Sequence, residues 1–324
     1  KRQIQSNESF SGLLGCTRNN GIKIAAIIFG AVLSINVQAQ DLGTLAPKPL
    51  PPLANPHDPA LPAKELFGRS VTPAKMATQS IGFYSRGCLS GADMLPIDGE
   101  AWQVMRLSRN RNWGHPDLVL FLQQAARDMR AQKIWPGLLV GDMSQPRGGP
   151  MITGHASHQI GLDADVWFTP MPERRFTRQE REELSATNLV REDGMDVEPQ
   201  LFGMQHIALL KFIAQQTQVE RVFVNPAIKK AICRDARGDR SWLGKIRPIY
   251  GHNYHFHIRL ACPPGAESCR PQEPPPQSEG CDKTLDWWFT DEAMNPKPVP
   301  PEKQPKPVTL AQLPGACRTV LQAK

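Results

Sequence analysis

Five of the eight histidines in this sequence fall in two short windows, each beginning with glycine. They are His155 and His158 within residues 154–158, and His252, His255 and His257 within residues 251–257. Packing alone does not explain such clustering, whereas imidazole is the commonest side-chain ligand for transition metals. The two windows therefore predict a metal centre.

An aspartate follows the first window within a few residues of sequence. Asp165 follows His158 by seven residues, and apolar and polar residues alternate along 160–168. This alternation predicts a strand with Asp163 and Asp165 on its polar face. The chain between the two positions can return a carboxylate beside an imidazole. Either aspartate could be the ligand, and the spacing favours Asp165.

The second window leads into another predicted strand, residues 254–260, in which side chains two apart share a face. His255 and His257 therefore project side by side. Two imidazoles and one carboxylate make a three-ligand zinc site that leaves one position for water, as catalytic zinc requires. The set favours zinc over copper because it contains no sulfur ligand, and over Mg²⁺ or Ca²⁺ because two ligands are imidazoles.

These motifs carry a resemblance to known enzymes. The His-x6-Asp spacing from His158 and the His-x-His spacing from His255 are similar to those of the metallopeptidase group of lysostaphin-type enzymes, D-Ala-D-Ala carboxypeptidases and the hedgehog fold. Within that group, residues 154–165 and 251–259 resemble the penicillin-insensitive murein endopeptidases. The resemblance spans most of the chain after residue 39.

The resemblance implies a role for each residue of the motifs. It assigns zinc to His158, Asp165 and His257, and it makes His255 the neighbouring base or transition-state stabiliser. The implied reaction is hydrolysis of the D-alanyl-meso-diaminopimelyl cross-link in peptidoglycan. Because this chemistry uses no serine nucleophile, β-lactams that acylate serine would not block it.

Two other functions remain open from the sequence. The same metal motif serves D,D- or L,D-carboxypeptidases that trim stem peptides. A non-catalytic cell-wall binding module with structural zinc is the second alternative, and it requires a filled fourth metal position. His155, His252 or His255 could fill that position.

The resemblance also suggests a second metal site, formed by His155 with Asp193 and Asp196. Two aspartates three residues apart on a charged turn are equally consistent with a solvated loop. His252, beside Gly251, is a further candidate for the site because of its place near the predicted cleft.

Several polar residues outside the histidine windows are weaker candidates. Gln145 and Arg147 precede the first window, and they either contact a stem-peptide carboxylate or lie on a solvated loop. Arg106, Arg109 and Arg111 form either a substrate subsite or a basic surface face.

The elements that must position these residues predict an α+β fold. We expect a small antiparallel sheet that carries the zinc site, flanked by helices and long loops and stapled by disulfides. Periodic patterns predict helices at 116–129, 177–184, 205–216 and 227–233, and strands at 138–140, 160–168, 221–224 and 254–260.

The cysteines and prolines indicate how the rest of the chain is arranged. Six cysteines follow residue 39, which predicts three disulfides in an exported protein. Cys262 and Cys269 flank a short turn and are easily joined, whereas Cys317 would tie a proline-rich tail to the body. Residues 40–324 are thus predicted to be one metallopeptidase domain with a Pro-rich lead-in and a C-terminal tail.

Residues 1–39 predict an upstream extension and a signal peptide, with an apolar run at 24–35 and cleavage after Ala39. The expected location is the periplasm, without integral membrane association. The formal charge of +7 falls to about +4 when this segment is removed, and no Lys/Arg cluster is interleaved with aromatics. This small basic excess argues against nucleic-acid binding and suits the cross-linked peptides of peptidoglycan as substrate. The sequence does not indicate an oligomeric state.

Overall fold

A six-stranded sheet runs through the computed structural model, which describes residues 42–324. The predicted extension, signal peptide and cleavage site at 1–39 lie outside these residues. No helix within 42–324 is long and apolar enough to cross a membrane. The strands are β1 Gln79–Phe83, β2 Arg86–Ser90, β3 Asp93–Met94, β4 Trp102–Val104, β5 Trp113–Gly114, β6 Leu138–Val140, β7 Asp163–Trp167, β8 Val219–Val224, β9 Ile246–Pro248 and β10 His255–Leu260.

Eight α-helices accompany the strands in the described part of the chain. They are α1 Ala63–Phe67, α2 Pro116–Ala131, α3 Arg178–Glu183, α4 Met204–Gln215, α5 Pro226–Asp235, α6 Lys283–Asp286, α7 Asp291–Met294 and α8 Ala316–Gln322. Short 3₁₀ turns occur at Leu107–Arg109, Ser241–Lys245, Trp287–Phe289, Pro301–Lys303 and Leu310–Gln312.

The order of strands in the large sheet is β4-β6-β7-β10-β8-β9. Its centre is antiparallel, from β6 through β7 and β10 to β8, whereas the outer pairs β4/β6 and β8/β9 are parallel. The α+β prediction is confirmed, and the predicted small antiparallel sheet is the centre of a mixed sheet.

The pairing of β7 with β10 places the polar residues of both strands on one face of the sheet, because side chains alternate along a strand. The facing pairs on that side are Asp163 with Arg259, Asp165 with His257, and Trp167 with His255. Ala164, Val166, Phe256 and Ile258 point to the other side, into the main hydrophobic core. Both faces of β7 are buried, so its polar face lines a site and is not solvated.

Helices cover the apolar side of this sheet. α2 begins with Pro116 in its first turn, where a missing N–H costs nothing, and it buries one stripe of apolar side chains. Ile207 and Leu210 of α4 and Ile228 and Ile232 of α5 join the same core. α3 begins with a capping box between Thr177 and Glu180. These helices hold β7 and β10 in one register, and that register fixes the site.

Three disulfides form within the described residues, as predicted. They join Cys88 with Cys317, Cys233 with Cys281, and Cys262 with Cys269. The first ties α8 to β2, in a small separate core that includes Phe67 and Val320. The proline-rich tail is therefore attached to the body at its far end.

Removal of the long-range disulfide should destabilise the protein strongly. A Cys88→Ser, Cys317→Ser double variant is expected to lose about 2–5 kcal/mol of unfolding free energy, because the bond closes a loop over a sequence separation of 229 residues. The measurement is urea unfolding of the oxidised proteins. The matched control is Cys262→Ser with Cys269→Ser, whose separation of 7 predicts a smaller loss. Equal losses in the two variants would contradict this account.

Candidate active site

Asp165 lies at the centre of a group of imidazoles. Its Oδ1 is 3.4 Å from Nε2 of His158 and 3.2 Å from Nδ1 of His257. Its Oδ2 is 3.4 Å from Nδ1 of His155 and 3.7 Å from Nε2 of His255. Burial alone would raise the pKa of Asp165, but the surrounding histidines outweigh burial and hold that pKa well below its ordinary value. The carboxylate is therefore ionised and faces four imidazoles.

Several polar atoms of this group are buried without a hydrogen-bond partner in the described structure. They are both ring nitrogens of His158, Nδ1 of His255 and Oδ1 of Asp165. An unsatisfied buried polar atom costs about 1–3 kcal/mol, so such atoms call for a ligand. Ligand atoms about 2.1 Å from a tetrahedral ion lie about 3.4 Å apart. The separations of 3.4 and 3.2 Å around Asp165 Oδ1 fit that spacing.

The residues present therefore fit a divalent metal with mixed nitrogen and oxygen ligands, of the kind that zinc prefers. His158, Asp165 and His257 would supply the three ligand atoms. Within residues 42–324, the group whose ligand atoms all lie within 4.8 Å of one another is His155, His158 and Asp165, so His155 is close enough to be a ligand. His257 is not in that group, and its place as a ligand rests on its 3.2 Å separation from Oδ1 of Asp165.

His257 is oriented by Asp163. Nε2 of His257 lies 2.9 Å from Oδ1 of Asp163, which also accepts a hydrogen bond of 2.8 Å from Nε of Arg259. Burial works against the charge of Asp163, but Arg259 and His257 outweigh it and hold the pKa of Asp163 below its ordinary range. The ionised carboxylate accepts a hydrogen bond from Nε2–H of His257, so Nδ1 is the nitrogen that faces Asp165. Asp163 thus orients His257, whereas Asp165 faces the metal position.

His158 reaches the site from a loop through an uncommon backbone conformation. Its φ of 66° lies in the left-handed region, which costs a non-glycine residue free energy. Two hydrogen bonds hold it there: its N–H donates to Oδ2 of Asp163 at 3.0 Å, and its carbonyl oxygen accepts from Oγ of Ser144 at 2.8 Å. The ring is fully buried and its centroid lies 4.5 Å from that of His257.

Asp142 is a site residue that the sequence reasoning missed. Its Oδ2 lies 2.9 Å from Nε2 of His155 and accepts hydrogen bonds from Arg109 at 2.9 Å and Arg111 at 2.8 Å. This contact turns Nδ1 of His155 toward Asp165. The available signal was a lone acidic residue two positions after the end of the buried strand β6.

His255 and His252 form a second pair of imidazoles beside the metal position. Burial lowers the pKa of His255 to about 4 and that of His252 to about 3, so both rings are neutral near pH 7. Their centroids are 4.9 Å apart, and Nδ1 of His252 lies 3.1 Å from the carbonyl oxygen of Tyr250. A neutral His255 so close to Asp165 is able to accept a proton.

A cavity of about 120 Å³ opens onto this group. Asp165, His255 and three arginines are among the residues that line it. The described residues that line it are Arg106, Arg109, Arg111, Gly141, Asp142, Gly154, His155, Asp165, Trp167, Tyr254 and His255. The three arginines therefore lie on the wall of the cavity. A substrate subsite formed by them stays a prediction.

The structure places Asp193 and Asp196 outside this group. Asp193 forms an ion pair with Arg191, and Asp196 forms one with Arg234 at 2.7 Å. Neither aspartate belongs to the group of candidate metal ligands found within residues 42–324. A second metal site that uses them with His155 stays a prediction.

Arg147 and Gln145 lie inside the protein. Both are more than nine-tenths buried, so the solvated-loop alternative is wrong. Arg147 donates to the carbonyl oxygens of Thr72, Val320 and Leu321, and Gln145 donates to that of Gly148. Neither residue lines the cavity. Their contacts anchor α8 and the loop before the first histidine window, and a contact with the stem peptide stays a prediction.

Comparison with known proteins agrees with this geometry. Residues 80–322 match the model of a family described as penicillin-insensitive murein endopeptidase. Proteins of that name from Klebsiella pneumoniae and Escherichia coli are each 43% identical over 249 residues, which is 77% of this chain and 88% of theirs. The chain belongs to the penicillin-insensitive murein endopeptidase family. This is a family of metallopeptidases, and the resemblance drawn from the two histidine windows is confirmed.

In this member of the murein endopeptidase family, Asp163 offers a test of how the metal ligands are held. An Asp163→Asn change keeps the shape but removes the charge that fixes the tautomer of His257. We expect zinc affinity to fall about 10- to 100-fold, as for other residues that orient a metal ligand. Competition with a chromophoric chelator measures the Kd, and the exposed Asp58→Asn is the matched control. Unchanged zinc affinity in Asp163→Asn would show that Asp163 does not orient His257.

Proposed function

We propose that this protein is a zinc-dependent endopeptidase that hydrolyses D-alanyl-meso-diaminopimelyl cross-links in peptidoglycan and is insensitive to β-lactams. One observation carries the proposal: Nε2 of His158 and Nδ1 of His257 lie 3.4 and 3.2 Å from Oδ1 of Asp165, the spacing of metal ligands, and Asp165 lines an open cavity. Membership of the murein endopeptidase family supports the substrate.

The residues around the metal position have distinct tasks in this reaction. A bound zinc ion supplies a Lewis acid that polarises the amide carbonyl and lowers the pKa of water. His255 is neutral because burial lowers its pKa to about 4, so it can take a proton at Nε2 from the attacking water. Once protonated, its positive charge stabilises the negative charge that develops on the carbonyl oxygen.

The cavity also favours a catalytic metal over a structural one. A structural zinc site is closed by four protein ligands, whereas a catalytic site keeps one position for water or substrate. In this protein the cavity reaches Asp165 and His255 directly. His155 faces Oδ2 of Asp165, whereas His158 and His257 face Oδ1.

The three disulfides support the periplasm as the place of action. Disulfides form and persist in oxidising compartments, of which the bacterial periplasm is one. The structure joins all six cysteines that follow residue 39. The predicted signal peptide agrees with that location.

Product analysis distinguishes the endopeptidase from the carboxypeptidase alternative. The purified zinc protein is incubated separately with a cross-linked muropeptide dimer and with a monomeric pentapeptide, with and without benzylpenicillin. We expect conversion of dimer to monomers at the same rate with the β-lactam, and no free D-alanine from the pentapeptide. Release of D-alanine with the dimer left intact would contradict the endopeptidase proposal.

A further inference from the structure

We propose that the arginine wall of the cavity, formed by Arg106, Arg109 and Arg111, is a subsite for a substrate carboxylate. This inference rests on the proposed function and deepens it. The carboxylate in question is the one on the carbon that bears the scissile amide nitrogen. The subsite would make a free carboxylate at that carbon a requirement for efficient hydrolysis.

The composition of the cavity wall is the first observation. Among the described residues that line it, three carry guanidinium groups and two carry carboxylates. Asp165 is turned to the imidazoles and the metal position. Asp142 is shared by Arg109, Arg111 and His155 through one oxygen, Oδ2. Cationic groups thus outnumber carboxylates among the residues that line the cavity.

The distance of the arginines from the reacting position is the second observation. Arg111 reaches Asp142 at 2.8 Å, Asp142 reaches His155 at 2.9 Å, and His155 reaches Asp165 at 3.4 Å. In a peptide, the carbonyl carbon of one residue and the carboxyl carbon of the next are less than about 3.8 Å apart. A carboxylate next to the scissile bond therefore needs a binding group in the same small cavity. The arginine wall stands there.

The chemistry of the cross-link matches this arrangement. Diaminopimelate carries an amino group and a carboxyl group on the same carbon at each end. When D-alanine acylates one of these amino groups, the free carboxylate beside it comes to lie next to the scissile amide. Arginine binds carboxylates through parallel N–H donors, which fixes orientation as well as charge.

Asp142 explains how the subsite keeps its place. Its carboxylate is 96% buried and holds the guanidinium groups of Arg109 and Arg111 in fixed positions. Arg111 also donates to the carbonyl oxygen of Thr153, in the loop that carries His155. Arg106 lies with its guanidinium carbon 4.9 Å from the ring centre of Trp167. These contacts already hold the arginine side chains in place, so binding of a substrate carboxylate would cost little side-chain entropy.

The test uses two cross-linked dimers that differ only at the carboxylate beside the scissile amide, which is free in one and amidated in the other. For the wild-type zinc protein we expect kcat/KM to be about 10- to 100-fold higher on the free acid, in line with hydrogen bonds between charged groups. Arg111→Ala should lose most of that preference, because it should slow cleavage of the free acid much more than cleavage of the amidated dimer. The exposed Arg178→Ala is the matched control and should keep the full preference.

Each other outcome has a definite meaning. Equal kcat/KM of the wild type on the two dimers would overturn the subsite while leaving the endopeptidase proposal intact. A parallel loss on both dimers in Arg111→Ala, with reduced bound zinc, would show that Arg111 acts only through Asp142 and His155, and it would also overturn the subsite. Failure of the wild type to cut either dimer would contradict the proposed function itself.

Discussion

His158→Ala and His257→Ala proteins are each expected to bind no stoichiometric zinc and to hydrolyse no cross-linked peptide. Each change removes one of two imidazoles that lie 3.4 and 3.2 Å from the same carboxylate oxygen of Asp165. Two remaining ligands do not make a stable zinc site. Substitution of a residue that only orients a metal ligand lowers metal affinity about 10- to 100-fold. Removal of a ligand itself should lower zinc affinity by more than that.

Metal analysis after gel filtration measures this effect, and circular dichroism verifies that each variant is folded. His57→Ala is the matched control, because His57 is an exposed histidine of the lead-in and lies outside the site. The control should retain full zinc and activity. Full zinc content in both His158→Ala and His257→Ala would refute the proposed metal site.

His255→Ala is expected to separate catalysis from metal binding. The ring of His255 lies 3.7 Å from Asp165 Oδ2, on the side of that carboxylate away from His158 and His257. Zinc content should therefore remain, while kcat falls about 10²- to 10⁴-fold, the usual contribution of a general base. Steady-state kinetics on the muropeptide dimer, together with metal analysis of the same sample, checks both parts.

The neighbouring imidazole provides the comparison for this variant. His252 is 4.9 Å from His255 between ring centroids and does not line the cavity. His252→Ala should lower kcat by much less than His255→Ala. Intact activity of a zinc-loaded His255→Ala protein would remove the catalytic role assigned to that residue.

The strands that carry the site could be predicted because their local patterns are strong. Alternation along 160–168 and 254–260 indicates both strands and the shared face of His255 and His257. The choice between Asp163 and Asp165 was harder, because both lie on the same face of one strand. The structure separates their roles through the antiparallel register, which sets Asp165 opposite His257 and Asp163 opposite Arg259. Register depends on pairing between segments about 90 residues apart, and local alternation cannot supply it.

The cavity wall could not be predicted for a similar reason. Asp142 meets Arg109 and Arg111 across sequence separations of 33 and 31 residues, through loops that have no periodic pattern. Arg147 shows the opposite case, since its position before a histidine window suggested a substrate contact. Its hydrogen bonds to Val320 and Leu321 instead join positions 173 and 174 residues apart and hold the end of the chain.

The most direct test of the central claim is the cleavage of cross-linked murein by the purified protein, with and without a chelator, with the products resolved chromatographically. We expect the zinc protein to convert cross-linked dimers to monomers, the protein with its metal removed by the chelator to leave them intact, and added zinc to restore the activity. Equal cleavage by the metal-free protein, or a fully zinc-loaded and folded protein that leaves every cross-link intact, would contradict that claim.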